Sequence, residues 1–245
     1  MGILQRLPRW LRAIGGADPI KHVVVLMFEN HSFDQMLGCF KSVYPELEGV
    51  DPTNPLGNRD STGRVYLQSE SRDTVVSPDP RHELDHVLAQ LTDNNSGFVS
   101  EYEKEYPATT PEQRQQIMGY FPLDFLPALH TLARHFTICD HWFSSVPGPT
   151  WTNRFFVHTG TSNGFVSMPE AATDAQMFLR YGQDTIFDRL NDRNIFWRVY
   201  FGDIPQSLVL RHQWWPTNAV RYRPIHSFFA DAQGSYNRML WTRRS

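Results

Sequence analysis

The chain has 245 residues, 40% hydrophobic and 20% charged, enough for one large domain with a two-sided core or for two small ones. A formal net charge of −3 with no long basic run argues against nucleic acid as a partner. No run of about 20 apolar residues occurs, so no transmembrane helix is expected.

Residues 1–18 place Leu4, Leu7, Leu11 and Ile14 at helical spacing, with Trp10 beside them and Arg6, Arg9 and Arg12 interspersed. The arginines break the apolar core of roughly 7 to 15 residues that a secretory signal needs. The segment therefore reads as an amphipathic leader ahead of Gly15-Gly16. It is either a surface helix or an interfacial one making peripheral membrane contact. A cytoplasmic or peripheral-membrane location is expected from it.

Residues 20–28, "IKHVVVLMF", are apolar and β-branched, which predicts a central strand covered on both faces. The run ends abruptly in "ENHSFD". A carboxylate and an amide oxygen, Glu29 and Asn30, suit a hard divalent cation at the carboxyl end of a strand. Alone, the pair reads more simply as a cap for the next turn. Residues 50–80, rich in Asp, Pro, Asn, Gly and Ser, predict long loops with a short strand near Val65 to Gln68.

"RHELDHVLAQLTDN" predicts a helix with Leu84, Val87, Leu88 and Leu91 on one face, and "PLDFLPALHTLARHF" a second, with a proline near its start. "TICDHWFSSV" reads as a strand or extended segment. "TNRFFVHTGTS" predicts a helix beginning near Thr152, after the Gly148-Pro149 break. "DTIFDRLNDRN" predicts another, with Asp184 as N-cap, followed by a strand in "IFWRVYFGD". Strands alternating with helices predict an α/β fold with a mainly parallel sheet, one domain over 19–233 and an atypical tail over 234–245. Cys39 and Cys139 fit no metal-binding spacing; buried thiols are the simplest expectation, and a disulfide between them is not deducible.

In "VPGPTWTNRFFVHTGTS" a tight turn delivers Thr150 to a helix N-terminus, where backbone N–H groups favour a phosphate. Metal coordination there would lower the hydroxyl pKa and make Thr150 a nucleophile. Arg154 is by chemistry a bidentate phosphate clamp. In isolation, Thr150 or Thr152 reads as an N-cap and Arg154 as a surface charge.

Together the stretches say more. Glu29, Asn30, Ser32, Phe33 and Asp34 match "EN-x-SFD", and Gly148, Pro149, Thr150, Asn153 and Arg154 match "GPT-x-PNR". "SPDPRH", "MGYF", "ICDHWF" and "HTGTS" stand in order around them. This pattern resembles the bacterial and plant phosphoesterase family of phosphatidylcholine-hydrolysing phospholipases C and a related acid phosphatase, from about Ile20 to about Gln233. The resemblance implies an alkaline-phosphatase-like layered sandwich, a divalent metal of unspecified identity, and a phospholipid or other phosphate-ester substrate. It makes Glu29, Asn30 and Thr150 metal ligands, Thr150 the nucleophile that forms a phosphoryl-enzyme, and His82 a phosphate contact or leaving-group acid. It makes Asn153 and Arg154 substrate-site residues, with bracing of the turn an equal role for Arg154. His158, Asp140 and His141 lie near these motifs.

Two departures stand out. Thr152 replaces a proline of the family pattern, and the family's downstream acidic stretch, "D-[DE]-H-G-G-x-[FY]-D-H", does not occur. Asp203 and Asp231 have neither its spacing nor its neighbours. The expectation is a domain whose C-terminal part is missing beyond about Gly234. A phospholipase C leads the readings. A phosphomonoesterase of the same family and an inactive, lipid-surface-binding member are the alternatives. Among Trp142, Phe143, Trp151, Trp214 and Trp215, a cation–π box for choline is conceivable, against a plain core role.

Overall fold

The computed structural model describes residue 20 and residues 22–167, 182–203 and 205–242; the leader over 1–18 lies outside the described residues. The chain divides between Asn30 and His31 into two units.

The first unit carries the run expected to be a central strand. Residues 22–29 belong to no helix or strand, and Val23, Val24, Val25, Leu26 and Phe28 are exposed, between 69% and 80%. This corrects the sequence expectation. A β-branched run specifies a surface that fits a sheet, but the strand itself exists only when neighbours supply its ladder. Among the described residues none does.

The second unit begins with α1 (Phe33–Leu37), whose N-cap is Ser32, its Oγ accepting from Gln35 N at 3.2 Å. A 3-10 turn follows and brings Cys39 and Phe40 into the main core with Leu47, Val50, Tyr120 and Ala133. Each fully buried Val or Phe here is worth about 1.5–3 kcal/mol. Gly49 must be glycine, since a Cβ there would lie 2.6 Å from the Gly38 carbonyl oxygen.

β1 (Gly57–Arg59) and β2 (Val65–Leu67) form an antiparallel hairpin with Asn58 opposite Tyr66. The Asp60 carboxylate organises its turn, accepting from Thr62 N and Oγ1, Arg64 N and the Tyr66 hydroxyl. β3 (Ser69–Glu70) pairs in parallel with β4 (Gly119–Tyr120). Between them lie α2 (Leu84–Gln90), α3 (Phe98–Glu105) and α4 (Pro111–Gln116). α2 does not present one buried apolar face: Leu88 and, beyond its end, Leu91 are exposed.

α5 (Pro127–His135) starts on its proline, as expected, and returns to the core through His130. His130 Nδ1 accepts from Asp124 N at 2.9 Å, which leaves its Nε2–H for the Met36 carbonyl at 3.0 Å and ties α5 to α1. Residues 136–149 run in extended and turn conformations to α6 (Thr150–Thr159), which ends on Gly160 at φ 73°. α7 (Ile186–Asp192) is capped by Thr185, not Asp184: Thr185 and Asp188 form a reciprocal capping box. β5 (Val199–Phe201) pairs in parallel with β6 (Tyr222–Pro224), and α8 (His226–Thr242) follows.

The architecture is thus a mixture of helices and small two-stranded sheets, two of the three parallel, compatible with an α/β fold. Cys39 is buried, and burial pushes its thiol up to about 11. Cys139, expected to be buried, is exposed, and both are free thiols.

Candidate active site

Thr150 is the first residue of α6, two positions earlier than the sequence predicts, with Pro149 as N-cap. Proline brings no side-chain cap, so the helix start is held another way. The Asn153 amide reaches back over the turn: Oδ1 accepts from Val146 N at 3.0 Å, and Nδ2 donates to the carbonyls of Val146, Gly148 and Pro149 at 2.9, 3.1 and 3.3 Å. One side chain thereby fixes the loop that delivers Thr150. Asn153 spends its side-chain hydrogen-bonding capacity on the turn that precedes Thr150.

The free first-turn N–H groups of a ten-residue helix give its start a local field that suits an anion, and Thr150 there is half-buried. Thr152 lies at the third helical position and is fully buried, its Oγ1 without a hydrogen-bond partner among the described residues. It is therefore not an N-cap. Phe155, one turn on, anchors α6 in a second core with Val209 and Leu210.

The loop carrying His82 comes close to this turn. A Cβ placed on Gly148 would lie 3.7 Å from Leu84 Cα, so the start of α2, two residues after His82, neighbours the Gly148 turn. His82 is half-buried, and its Nδ1 is buried without a partner among the described residues. An imidazole nitrogen in that condition is unusual, because buried polar atoms are normally paired.

Arg154 is half-buried on α6. His158, one turn later on the same helix, stacks on Phe187 at 5.5 Å. Burial, aided by the Arg154 charge, pushes its pKa down to about 4, so the ring is neutral near pH 7. Asp140 accepts from Glu48 N at 2.9 Å, which holds its carboxyl below the usual range, and His141 lies 3.5 Å from the Glu48 carboxylate on the surface. Asp231 is bound by Arg198 and by the Tyr200 hydroxyl at 2.8 Å.

In the first unit, Glu29 and Asn30 are exposed, and Asn30 takes φ 124°, a conformation that L-residues rarely adopt. Because Ser32 caps α1, neither residue is needed as its cap.

A feature the sequence did not signal is a cleft of about 620 Å³ lined by Asp184, Asp188, Asp192, His212, Trp215 and Arg221 among others. Ligand atoms of Asp184, Asp188 and His212 gather within 4.8 Å, an arrangement that could hold a metal ion. Their present bonding argues for structure instead. Asp188 Oδ2 already accepts from Thr185 N and Oγ1 and from His212 Nδ1, at 2.7, 2.8 and 3.0 Å, and Asp184 is paired with Arg189 at 2.5 Å. Burial alone would raise the Asp188 pKa; the bonds from His212 and Thr185 outweigh it and lower it.

Trp142 and Phe143 are exposed at 83% and 76%, whereas Trp151 packs on Phe155 at 6.0 Å.

A hydroxyl at a helix N-terminus, after a turn clamped by an asparagine, has the chemistry to accept a phosphoryl group. The chain belongs to the phosphoesterase family, whose model matches residues 20–240. It is 34% identical over 214 residues to "Non-specific phospholipase C3" of Arabidopsis thaliana, covering 80% of this chain and 39% of that protein. It is 36% identical over 201 residues to "Non-specific phospholipase C6" of the same plant, covering 80% and 37%. It is also 27% identical over 201 residues to a "Non-hemolytic phospholipase C" of Pseudomonas aeruginosa, covering 77% and 28%. The chain thus spans less than two-fifths of the length of these relatives.

Proposed function

We propose that this chain carries the nucleophile-bearing part of a phospholipase C-type phosphoesterase, cleaving a glycerophospholipid to diacylglycerol and a phosphorylated headgroup. The observation that carries this reading is Thr150 at the start of α6, with its turn clamped by Asn153, in a member of the phosphoesterase family. The names of the relatives support a phospholipid substrate over a simple phosphomonoester. The two parallel strand pairs support the alkaline-phosphatase-like layering as part of the same proposal.

In this mechanism Thr150 loses its hydroxyl proton to solvent water, its Oγ attacks phosphorus, and the P–O bond to the glycerol oxygen breaks in line with the new one. The departing oxygen takes a proton from His82, and Thr150 holds the phosphoryl headgroup until water displaces it. Arg154 and the first-turn N–H groups of α6 neutralise the non-bridging oxygens. Asn153 keeps Thr150 in place. Glu29 and Asn30 would offer a carboxylate and an amide oxygen, and Thr150 a hydroxyl oxygen, each a donor type that suits a hard divalent cation. Such an ion, when bound, would lower the threonine pKa and offset phosphate charge.

The test is turnover of p-nitrophenyl phosphorylcholine by purified residues 1–245, with and without chelator, beside Thr150→Ala. Hydrolysis lost in both controls is the expected result. Hydrolysis that survives Thr150→Ala rejects the nucleophile, and a folded chain without turnover rejects catalysis by this chain alone.

A further inference from the structure

The loop over residues 77–82, which ends on His82, makes no backbone–backbone hydrogen bond among the described residues, and Pro78 and Pro80 have no N–H to offer one. Side chains serve its carbonyls instead. Ser77 O accepts from Gln113 Nε2 at 2.9 Å and Pro78 O from the Tyr102 hydroxyl at 2.8 Å. Asp79 O accepts from the Tyr106 hydroxyl at 2.9 Å and Arg81 O from Gln90 Nε2 at 2.8 Å. The donors sit on α2, α3, α4 and the residue just after α3, so three helices hold one loop.

Gln90 is buried, and its amide nitrogen spends both protons, one on Arg81 O and one on Glu101 Oε2 at 3.2 Å. The other Glu101 oxygen is taken by His86 Nδ1. A carboxylate only accepts, so Glu101 fixes which end of the Gln90 amide faces the loop. The Arg81–His82 peptide is thereby tied on both sides: its carbonyl to Gln90, and its N–H to Glu83 Oε2 at 3.2 Å.

Ordering a loop costs conformational entropy, and a plain connection between elements needs no such fastening. Its consequence falls on His82. The Nδ1 of that ring is buried with no partner among the described residues, a condition that a ring free to swing would relieve by hydration. Two residues later the start of α2 neighbours the Gly148 turn that leads to Thr150.

We propose that Gln90, Tyr102 and Tyr106 are positioning residues for His82, fixing its backbone so that the imidazole meets the departing oxygen. The inference rests on His82 as the leaving-group acid of the reaction proposed above.

The experiment measures kcat of purified residues 1–245 on two esters. The glycerol oxygen of dihexanoylphosphatidylcholine needs a proton to leave, whereas the phenolate of p-nitrophenyl phosphorylcholine leaves without one. Gln90→Leu removes the amide, and Tyr102→Phe/Tyr106→Phe removes two hydroxyls while keeping the rings packed. In both variants kcat on the lipid should fall roughly tenfold, and on the nitrophenyl ester less than about twofold. His82→Ala should show the same selectivity at roughly 100-fold. Val50→Ala, which weakens the main core, should lower Tm with no selectivity. Equal loss on both esters in the Gln90 and tyrosine variants, with His82→Ala selective, overturns the inference. His82→Ala without selectivity rejects the acid role beneath it, and the inference falls with that role. If neither ester is turned over, the reaction proposal fails and the His82 Hε1 proton resonance decides. Shifted or broadened in both variants but not in Val50→Ala, it upholds the positioning; unchanged in both, or changed equally in Val50→Ala, it overturns it.

Discussion

Asn153 and Thr152 sit one residue apart and have opposite relations to their surroundings. Asn153 makes four hydrogen bonds to the turn before α6, so Asn153→Ala should release the loop that positions Thr150. A stability loss of about 1–3 kcal/mol is expected from the unpaired backbone groups. If the turn's purpose is to aim the nucleophile, kcat should fall by roughly 100-fold with KM little changed. Equal damage to both constants would reduce Asn153 to a structural brace. Thr152, by contrast, buries a hydroxyl with no partner among the described residues. Thr152→Val keeps the shape and removes the desolvated oxygen, and should stabilise by about 1 kcal/mol. That corresponds to a rise in Tm of roughly 2–4 °C for a chain of this size. An unchanged or lower Tm would mean the hydroxyl finds a partner in solution.

Between elements, α2 and α3 are joined by an ion pair. His86 Nδ1 lies 2.5 Å from Glu101 Oε1, and Gln90 donates to the other carboxylate oxygen at 3.2 Å. The bond to Glu101 raises the His86 pKa above its ordinary 6.5, against a smaller opposing effect of burial. The folded value is the higher one, so the pair's stabilisation is complete below the unfolded pKa and fades as pH rises through the folded one. Urea unfolding of wild type and His86→Gln should therefore differ more near pH 6 than near pH 9; a pH-independent gap would contradict the pairing. The same two helices show what sequence reading can reach. α5, α6 and α7 were legible from local signals: apolar spacing, Pro127 at a helix start, the Gly148-Pro149 break and Gly160 after the last turn. α3 was not, because its start is served from afar by Asn58, whose Oδ1 accepts from Phe98 N at 2.8 Å across 40 positions. α4 could have been found, since Thr110-Pro111 with Gln113 spells a capping box. Of the site, the motif residues around Thr150 were readable; the clamp by Asn153 and the approach of the His82 loop are matters of backbone path that spacing does not encode.

For the molecule as a whole, the decisive fact is the division between Asn30 and His31 and the state of the chain before it. Val23–Phe28 is a six-residue, uncharged, proline-free run of high β-propensity, and it is exposed. Those are the properties of a segment that pairs with whatever strand it meets, including its own copies in disordered aggregates. Its side chains contribute little burial, so charging them should cost the second unit no packing. The double variant Val23→Lys/Val25→Lys should therefore aggregate more slowly on warming, by light scattering, while the unfolding transition of the second unit stays within about 0.5 kcal/mol of wild type, as surface substitutions do. A lowered transition would show instead that these valines are buried in solution. Unchanged aggregation would move the hazard to the other exposed apolar segment, around Phe136, Trp142 and Phe143. The outcome bears on function too, because Glu29 and Asn30 follow this run directly. If Glu29 and Asn30 are the metal ligands proposed above, whatever fixes this run also fixes them.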